Sequence, residues 1–270
     1  MSAKTKQLAI DIRCDVLEMV HHARAAHVAS SLSVADVLAV LYGDVLCHRP
    51  GEPAWLDRDR VILSKGHAAA AGYAVLARCG YFPVTLLETY CDNGSPLAGH
   101  LTATAGAPGV ELSTGSLGHG LPVAAGIALH AKRAGAERRV FVIMSDGECD
   151  EGSTWEAALF SGHHELANLT AIIDYNRIQS FGRVEDVLRL EPFADKWAAF
   201  GWDVVDINGH DHESLQAALA SRSAKKPRVI IANTVKGKGV SFMEDDLAWH
   251  YKSPDRVQLD QALAEIRDSA

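Results

Sequence analysis

The sequence predicts an α/β fold: a doubly wound, mostly parallel sheet with helices on both faces. Two observations carry this expectation. Val140-Phe-Val-Ile-Met144 and Leu169-Thr-Ala-Ile-Ile-Asp-Tyr175 are continuous apolar runs. Runs of that kind suit strands covered on both faces by helices, as in a parallel sheet. Apolar runs also alternate with helical patterns along the chain, which indicates strand–helix–strand units and not hairpins.

The elements follow in order. From Gln7 to Val20 the apolar positions Leu8, Ile12, Val16, Met19 and Val20 fall at helical spacing. Ser33 is expected to cap a second helix, Val34 to Leu46, with Asp36 at its third position as an acidic variant of the capping box. After a charged loop from His48 to Asp59, Arg60 to Leu63 reads as a strand feeding the loop Ser64-Lys-Gly-His67. Ala68 to Cys79 reads as a helix that stops at Gly80. Cys91 to Gly115 is dense in Gly, Ser, Thr and Pro, and a loop this long in a compact domain is expected to be functional. Leu121 to Arg133 and Gly152 to Leu166 read as helices. A further strand, helix and strand are expected at Trp202 to Ile207, Glu213 to Ala220 and Val229 to Ala232. Residues 1–270 are read as one domain.

Composition narrows the function. Hydrophobic residues make up 48% of the 270, enough for a substantial core. The net charge of −8 argues against a general nucleic-acid binder, whose phosphate contacts need a basic surface. The first twenty residues carry Lys4, Lys6, Asp11, Arg13, Asp15 and Glu18 and so lack the apolar stretch of a signal peptide. No window approaches a membrane span. Cys14, Cys47, Cys79, Cys91 and Cys149 are scattered without a CxxC, so they are read as buried or half-buried thiols of a cytoplasmic enzyme.

The informative segment is Ser145-Asp146-Gly147-Glu148 at the end of one expected strand, with Asn176 at the end of the next. Asp146 and Asn176 are 30 positions apart, the length of one crossover, and consecutive parallel strands usually lie close together. Both side chains should therefore reach the crevice beyond the strand ends, where open α/β sheets bind ligands. A carboxylate and an amide oxygen are hard donors suited to Mg²⁺ or Ca²⁺. Gly147 would let the backbone approach a diphosphate. Taken alone, the pattern also suits a strand-end turn held by an Asx-type hydrogen bond.

This segment resembles the thiamine-diphosphate signature, GDG followed one crossover later by Asn, with Ser145 in place of the first glycine. Further segments in order are similar to the N-terminal portion of transketolases. They are Ser30-Ser-Leu-Ser33, Arg58-Asp-Arg60 with Leu63-Ser-Lys-Gly-His67, Gly99-His100, and Pro108 to Gly118. Then come Glu151-Gly152 with Trp155-Glu156, Asp174-Tyr-Asn176, Phe200-Gly-Trp202, Gly209-His-Asp211 and Thr234 to Val240. The resemblance runs from about residue 10 to residue 255.

The resemblance implies the thiamine-diphosphate-binding fold and a set of roles. Asp146, Asn176 and the carbonyl of Ile178 would hold Mg²⁺, with Ca²⁺ or Mn²⁺ as alternatives. His67, Gly115, Ser116, Leu117, Gly147 and Glu148 would face the cofactor. His27, His100 and His250 would face the substrate, where histidine hydrogen-bonds hydroxyls and moves protons near neutral pH. Val28 and Leu101 stand where the family usually has proline, and His119 where many relatives have glutamine. Glu151 and Glu156 suit an acidic first helical turn, and by resemblance a carboxylate network between subunits. Lys236 and Lys238 suit a solvated turn, and by resemblance a loop near the cofactor. His21-His22 and His163-His164 read as helix surface or interface residues.

Thiamine-diphosphate enzymes bind the cofactor between two domains, and the sequence stops where the first would end. A partner is therefore expected: a C-terminal transketolase subunit carrying the pyrimidine-binding domain, in a two-plus-two heterotetramer. The implied reaction moves a two-carbon ketol unit from a ketose, expected to be phosphorylated, to an aldose. The rival readings are the diphosphate-binding subunit of a 2-oxo acid dehydrogenase, a deoxyxylulose-phosphate synthase fragment, and a non-catalytic subunit that keeps the fold.

Overall fold

The computed structural model describes residues 2–221 and 223–268. The chain opens with helix α1 (Ser2–Ala23), followed by α2 (Val28–Ser33) and α3 (Ala35–Val40). Strand β1 (Arg60–Leu63) leads to α4 (Ala69–Arg78), and α5 (Gly120–Arg133) leads to β2 (Val140–Ser145). Helix α6 (Gly152–His163) connects β2 to β3 (Leu169–Tyr175). Then come α7 (Val184–Val187), α8 (Phe193–Ala199), β4 (Asp203–Asn208), α9 (His212–Ala220), β5 (Arg228–Asn233) and α10 (Arg256–Asp268).

The five strands form one wholly parallel sheet in the order β1-β2-β3-β5-β4. The expected doubly wound α/β class is what forms. Successive strand side chains point to opposite faces, and here both faces are apolar. Val61, Leu63, Phe141, Ile143, Ile172, Ile230 and Ala232 pack with α1, α2, α3, α4, α9 and α10. Ile62, Val140, Val142, Met144, Ala171, Ile173, Val229 and Ile231 pack with α5, α6 and α8. That is why β2 and β3 read as unbroken apolar runs. The chain passes from β3 to the far edge strand β4 and then turns back, so β5 fills the gap. Edge strand β4 is half-exposed.

Several expectations are corrected. The helix expected from Val34 is α3, which starts at Ala35, and an unexpected short helix, α2, precedes it with Ser33 as its last residue. The Ser33 hydroxyl caps nothing, because it donates to Ser30 O at 3.1 Å and to Asp174 at 2.6 Å. Beyond Val40 the expected helix widens into a π-type turn over Leu41–Val45. There Leu46 N–H reaches back to Leu41 O at 2.9 Å, and Gly43 lies against Leu8 and Thr5. Asp36 is not in a capping box. It is buried and binds Arg13 at 2.6 Å, His210 at 2.7 Å and His212 at 3.0 Å, joining α1, α3 and α9. Trp202 precedes β4 and donates its indole N–H to Ala158 O at 2.9 Å. All five cysteines are free, but Cys47 and Cys91 are exposed, because each sits in a loop and not on a core-facing stripe. Among the described residues no helix is long and apolar enough to cross a membrane.

Candidate active site

Because the strands are parallel, all their C-terminal ends meet one edge. Ser145 and Asp174 are register partners there, so the segments that leave β2 and β3 start side by side. The loops after β1, β2, β3 and β5 enclose a cleft of about 410 Å³. Of the residues singled out in the sequence, His27, His67, His100, His250, Gly115, Leu117, Asp146, Gly147, Glu151, Asn176 and Ile178 line it. Ser116, Glu148 and Glu156 do not. Ser116 is exposed beside the cleft, Glu156 is exposed on α6, and Glu148 is fully buried behind the wall. The long loop from Cys91 to Gly115 supplies His100 and Gly115 to the cleft.

Oxygen donors gather at one end. Asp146 accepts the Gly147 N–H at 2.7 Å and the Arg177 N–H at 2.6 Å. The Gly147 bond is to the very next residue and so is not the Asx-type bond of the simpler reading, which Asn176 makes to Ile178 two residues on. Burial, with the charge of Asp174 nearby, pushes its carboxyl up to about 6. Asn176 Oδ1 accepts the Ile178 N–H at 3.2 Å, and the Ile178 carbonyl accepts Lys236 Nζ at 2.8 Å. Gly147 keeps this end open, since a Cβ there would press on the Gln179 side chain at 3.2 Å. Ser145, in the place of a glycine, accepts the Glu148 N–H on its hydroxyl oxygen at 3.3 Å and so braces the turn.

Two buried lysines face these oxygens. Lys65 pairs with Asp174 and donates to Ser30 O at 3.0 Å. Burial alone would raise the Asp174 carboxyl, but Lys65 and the hydroxyls of Ser33 and Thr234 hold it below the usual carboxylate range. Lys236 is 1% exposed, so it is no solvated turn. Burial, with the charge of Lys65, pulls its ammonium down to about 8. Lys238 is half-exposed and pairs with Glu244 at 3.2 Å. Lys65, Asp174 and Thr234 went without a role in the sequence. The available signal was a charge inside an apolar run: Asp174 stands between Ile173 and Tyr175, and such a group is kept only with a partner.

The other side of the cleft is a histidine cluster. Ring centroids of His27 lie 5.4 Å from His67, 5.8 Å from His100 and 4.9 Å from His250. His27 holds a left-handed φ of 71° at the start of α2, and its N–H donates to His250 O at 2.9 Å. Burial, with the neighbouring His100, lowers His27 to about 4. Burial, with Lys236, lowers His250 to about 3. Burial also holds His67 well below its ordinary value. These three rings are therefore neutral at pH 7, each with one donor and one acceptor nitrogen. His100 is the exposed member. Val28 and Leu101, beside the histidines, are both buried.

Behind the wall, Glu148 ties three loops of the cleft together. Its carboxylate accepts from the Ser64 hydroxyl and from the Gly118 N–H at 2.9 Å, while Thr154 donates to its carbonyl at 2.9 Å. Its other carboxylate oxygen is buried without a hydrogen-bond partner. Glu151 precedes α6, and both it and Glu156 are exposed. Among the described residues no group of three His, Cys, Asp or Glu side chains could hold a metal. A site of one carboxylate, one amide and one backbone carbonyl is a different donor set.

The chain matches the family described as "Transketolase, thiamine diphosphate binding domain" over residues 4–256. It is 41% identical to an apulose-4-phosphate transketolase subunit of Phocaeicola vulgatus, over 94% of this chain and 90% of that one. It is 42% identical to a 6-deoxy-6-sulfo-D-fructose transketolase subunit of Clostridium sp., over 94% of this chain and 93% of the other. Transketolase from Campylobacter jejuni superposes with a TM-score of 0.91 at 30% identity, covering 98% of this chain and 43% of that enzyme. The chain thus spans about two fifths of the length of the solved transketolases. With the parallel sheet and the cleft at its C-terminal edge, these likenesses settle the kinship: the chain belongs to the transketolase family, as a thiamine diphosphate-binding domain.

Proposed function

We propose that residues 1–270 form the diphosphate- and metal-binding subunit of a two-component transketolase. One observation carries the reading: Asp146, Asn176 and the Ile178 carbonyl line the same cleft as four histidines and two buried lysines. Those three are hard oxygen donors of the kind Mg²⁺ takes, and the metal usually completes its shell with water and phosphate oxygens. Gly147 and Gly115 leave the backbone bare where a diphosphate would lie. The residues fit the group, so they would hold Mg²⁺ and thiamine diphosphate, with Lys236 and His67 toward the phosphates. Ca²⁺ or Mn²⁺ would satisfy the same donors.

Thiamine diphosphate supplies, when bound, the reactive carbon and electron sink for breaking a carbon–carbon bond beside a carbonyl. The chain supplies orientation and protons. His27 and His250, neutral at pH 7, would hold ketose hydroxyls by hydrogen bonds without carrying charge. His100, open to water, would move the proton between hydroxyl and solvent as the ketol unit leaves and is passed to an aldose. Lys65 and Lys236 are the lysines among the lining residues, no arginine is among them, and both sit at the oxygen-donor end. A phosphate at the far end of the sugar would then be gripped by the partner.

The partner is proposed from the relatives. Proteins named as transketolase subunits are matched over 90% and 93% of their own lengths. By analogy this chain works with a C-terminal transketolase subunit that carries the pyrimidine-binding domain, in a two-plus-two heterotetramer in the cytoplasm. Glu151 and Glu156, exposed at the start of α6, would then meet carboxylates of another subunit.

The test is native co-purification with mass spectrometry, followed by cofactor titration of the complex. The expected result is Mg²⁺-dependent thiamine diphosphate binding and a co-purifying C-terminal transketolase subunit. Asp146→Ala should weaken that binding by about 100-fold or more. Undiminished affinity in the variant would overturn the metal assignment, and a chain recovered alone without cofactor would overturn the two-component reading.

A further inference from the structure

We infer that His210 is a positioning residue for the diphosphate end of the cleft, acting through the backbone N–H of Val235 on the loop that carries Thr234 and Lys236. The inference rests on the function proposed above for the meaning of that loop, but its geometry stands alone. Val235 N lies 2.8 Å from His210 Nε2. A backbone N–H can only donate, so Nε2 must be an unprotonated acceptor. The proton of the neutral ring then sits on Nδ1, which faces Asp36 Oδ2 at 2.7 Å. Asp36 is itself fixed by Arg13 at 2.6 and 3.2 Å and by His212 at 3.0 Å. One carboxylate anchored between α1 and α3 therefore sets the tautomer and the plane of the ring.

The loop on the other side of that hydrogen bond is an active-site loop. Thr234 donates its hydroxyl to Asp174, and Lys236 Nζ donates to Ile178 O at 2.8 Å and lies 3.1 Å from His250 Nδ1. Val235 sits between them, so moving its amide moves both side chains. Gly209 makes the approach feasible. A Cβ there would meet Thr234 Cγ2 at 2.5 Å and Ala232 Cβ at 3.1 Å, which would push the 209–210 segment off the loop. The dipeptide Gly209-His210 thus has a mechanical reading: a residue without a side chain for close approach, then a ring that accepts from the loop.

Two variants separate this role from a general structural one. In Gln the amide oxygen reaches about where Nε2 stands, so His210→Gln keeps an acceptor for Val235. In Asn the amide nitrogen stands about where Nδ1 does, so His210→Asn keeps the donor to Asp36 and loses the acceptor. In the full chain, nitrogen-15 spectra of wild-type protein should find His210 in the Nδ1–H tautomer. Hydrogen exchange at the Val235 amide should rise about tenfold in His210→Asn and stay near wild type in His210→Gln. In the complex with its partner, thiamine diphosphate affinity in Mg²⁺ should fall about tenfold in the Asn variant and less than about threefold in the Gln variant. An Nε2–H tautomer, equal losses in the two variants, or the reverse order would overturn the inference. The tautomer and the exchange rate are read without cofactor. A wild-type complex that bound no thiamine diphosphate would therefore overturn the proposed function, while these two readouts would still decide the role of His210.

Discussion

At the scale of single residues, the cleft is defined as much by missing atoms as by present ones. Gly115 has a φ of +140°, and a Cβ there would stand 2.8 Å from His100 Cδ2. Gly115→Ala therefore combines backbone strain, about 1–3 kcal/mol, with displacement of the exposed histidine. We expect kcat/KM of the assembled enzyme to fall at least about tenfold, with a modest drop in Tm. A crystal structure of the variant with His100 unmoved would contradict that account. The residues of the oxygen-donor end were legible in the sequence because Asp146 and Asn176 are each fixed by strand ends that the apolar runs reveal. For Lys236 only the family resemblance pointed toward the cleft, because a lysine between a valine and a glycine looks like surface until Ile178 and His250 are folded over it. Ser33 misled for a related reason: a serine before an apolar stretch predicts a cap, but its hydroxyl serves Asp174, 141 positions away.

At the scale of elements, the helices on one face are joined by charge as well as by apolar packing. Asp36 on α3 holds Arg13 of α1 and His212 of α9. Burial alone would raise its carboxyl, but Arg13 and the histidine hydrogen bonds hold it well below the usual carboxylate range. Asp36→Asn leaves Arg13 buried without its counter-charge, and we expect a loss of about 3–5 kcal/mol at pH 7. The sign of the pH dependence follows from the depressed value. The stabilisation is complete above the ordinary carboxyl value of 3.8 and is lost as pH falls through the folded-state value. Denaturant titrations should therefore show the gap between wild type and variant closing below about pH 4; a gap constant down to pH 2 would count against the ion pair as its source. Strands β1, β2, β3 and β5 were legible because both of their faces are apolar. Beyond the short α2, helices α7, α8 and α10 were missed. The first two are short, with 4 and 7 residues. The third buries only Leu259, Ala262, Leu263 and Ile266 from a largely polar sequence.

At the scale of the whole molecule, several large apolar side chains remain exposed. Phe181 is 84% exposed, Leu159 58% and Leu188 53%, and Phe160 on α6 is 40% exposed. Phe181 and the nearby Val187 line the cleft itself. Such side chains lose little by facing water one at a time but gain when covered together. We expect Phe181→Glu combined with Leu159→Glu to prevent assembly with the partner in sedimentation experiments. Stability of the isolated chain should change by less than about 0.5 kcal/mol, as for surface substitutions elsewhere. Unimpaired assembly would place the partner on another face.

The half-exposed edge strand β4 has a bearing on how this molecule keeps company with its own kind. An open sheet edge is a template on which a neighbour's strand can dock and start a fibre. Here β4 carries Asp203 and Asp206, with Asp203 held by Arg228 at 2.7 Å and Asp206 by Asn233 at 2.5 Å. A like strand from another copy would have to strip water from both carboxylates and set them against their twins. The edge therefore deters stacking sheet to sheet, and growth into filaments is blocked on the side where the backbone would otherwise invite it.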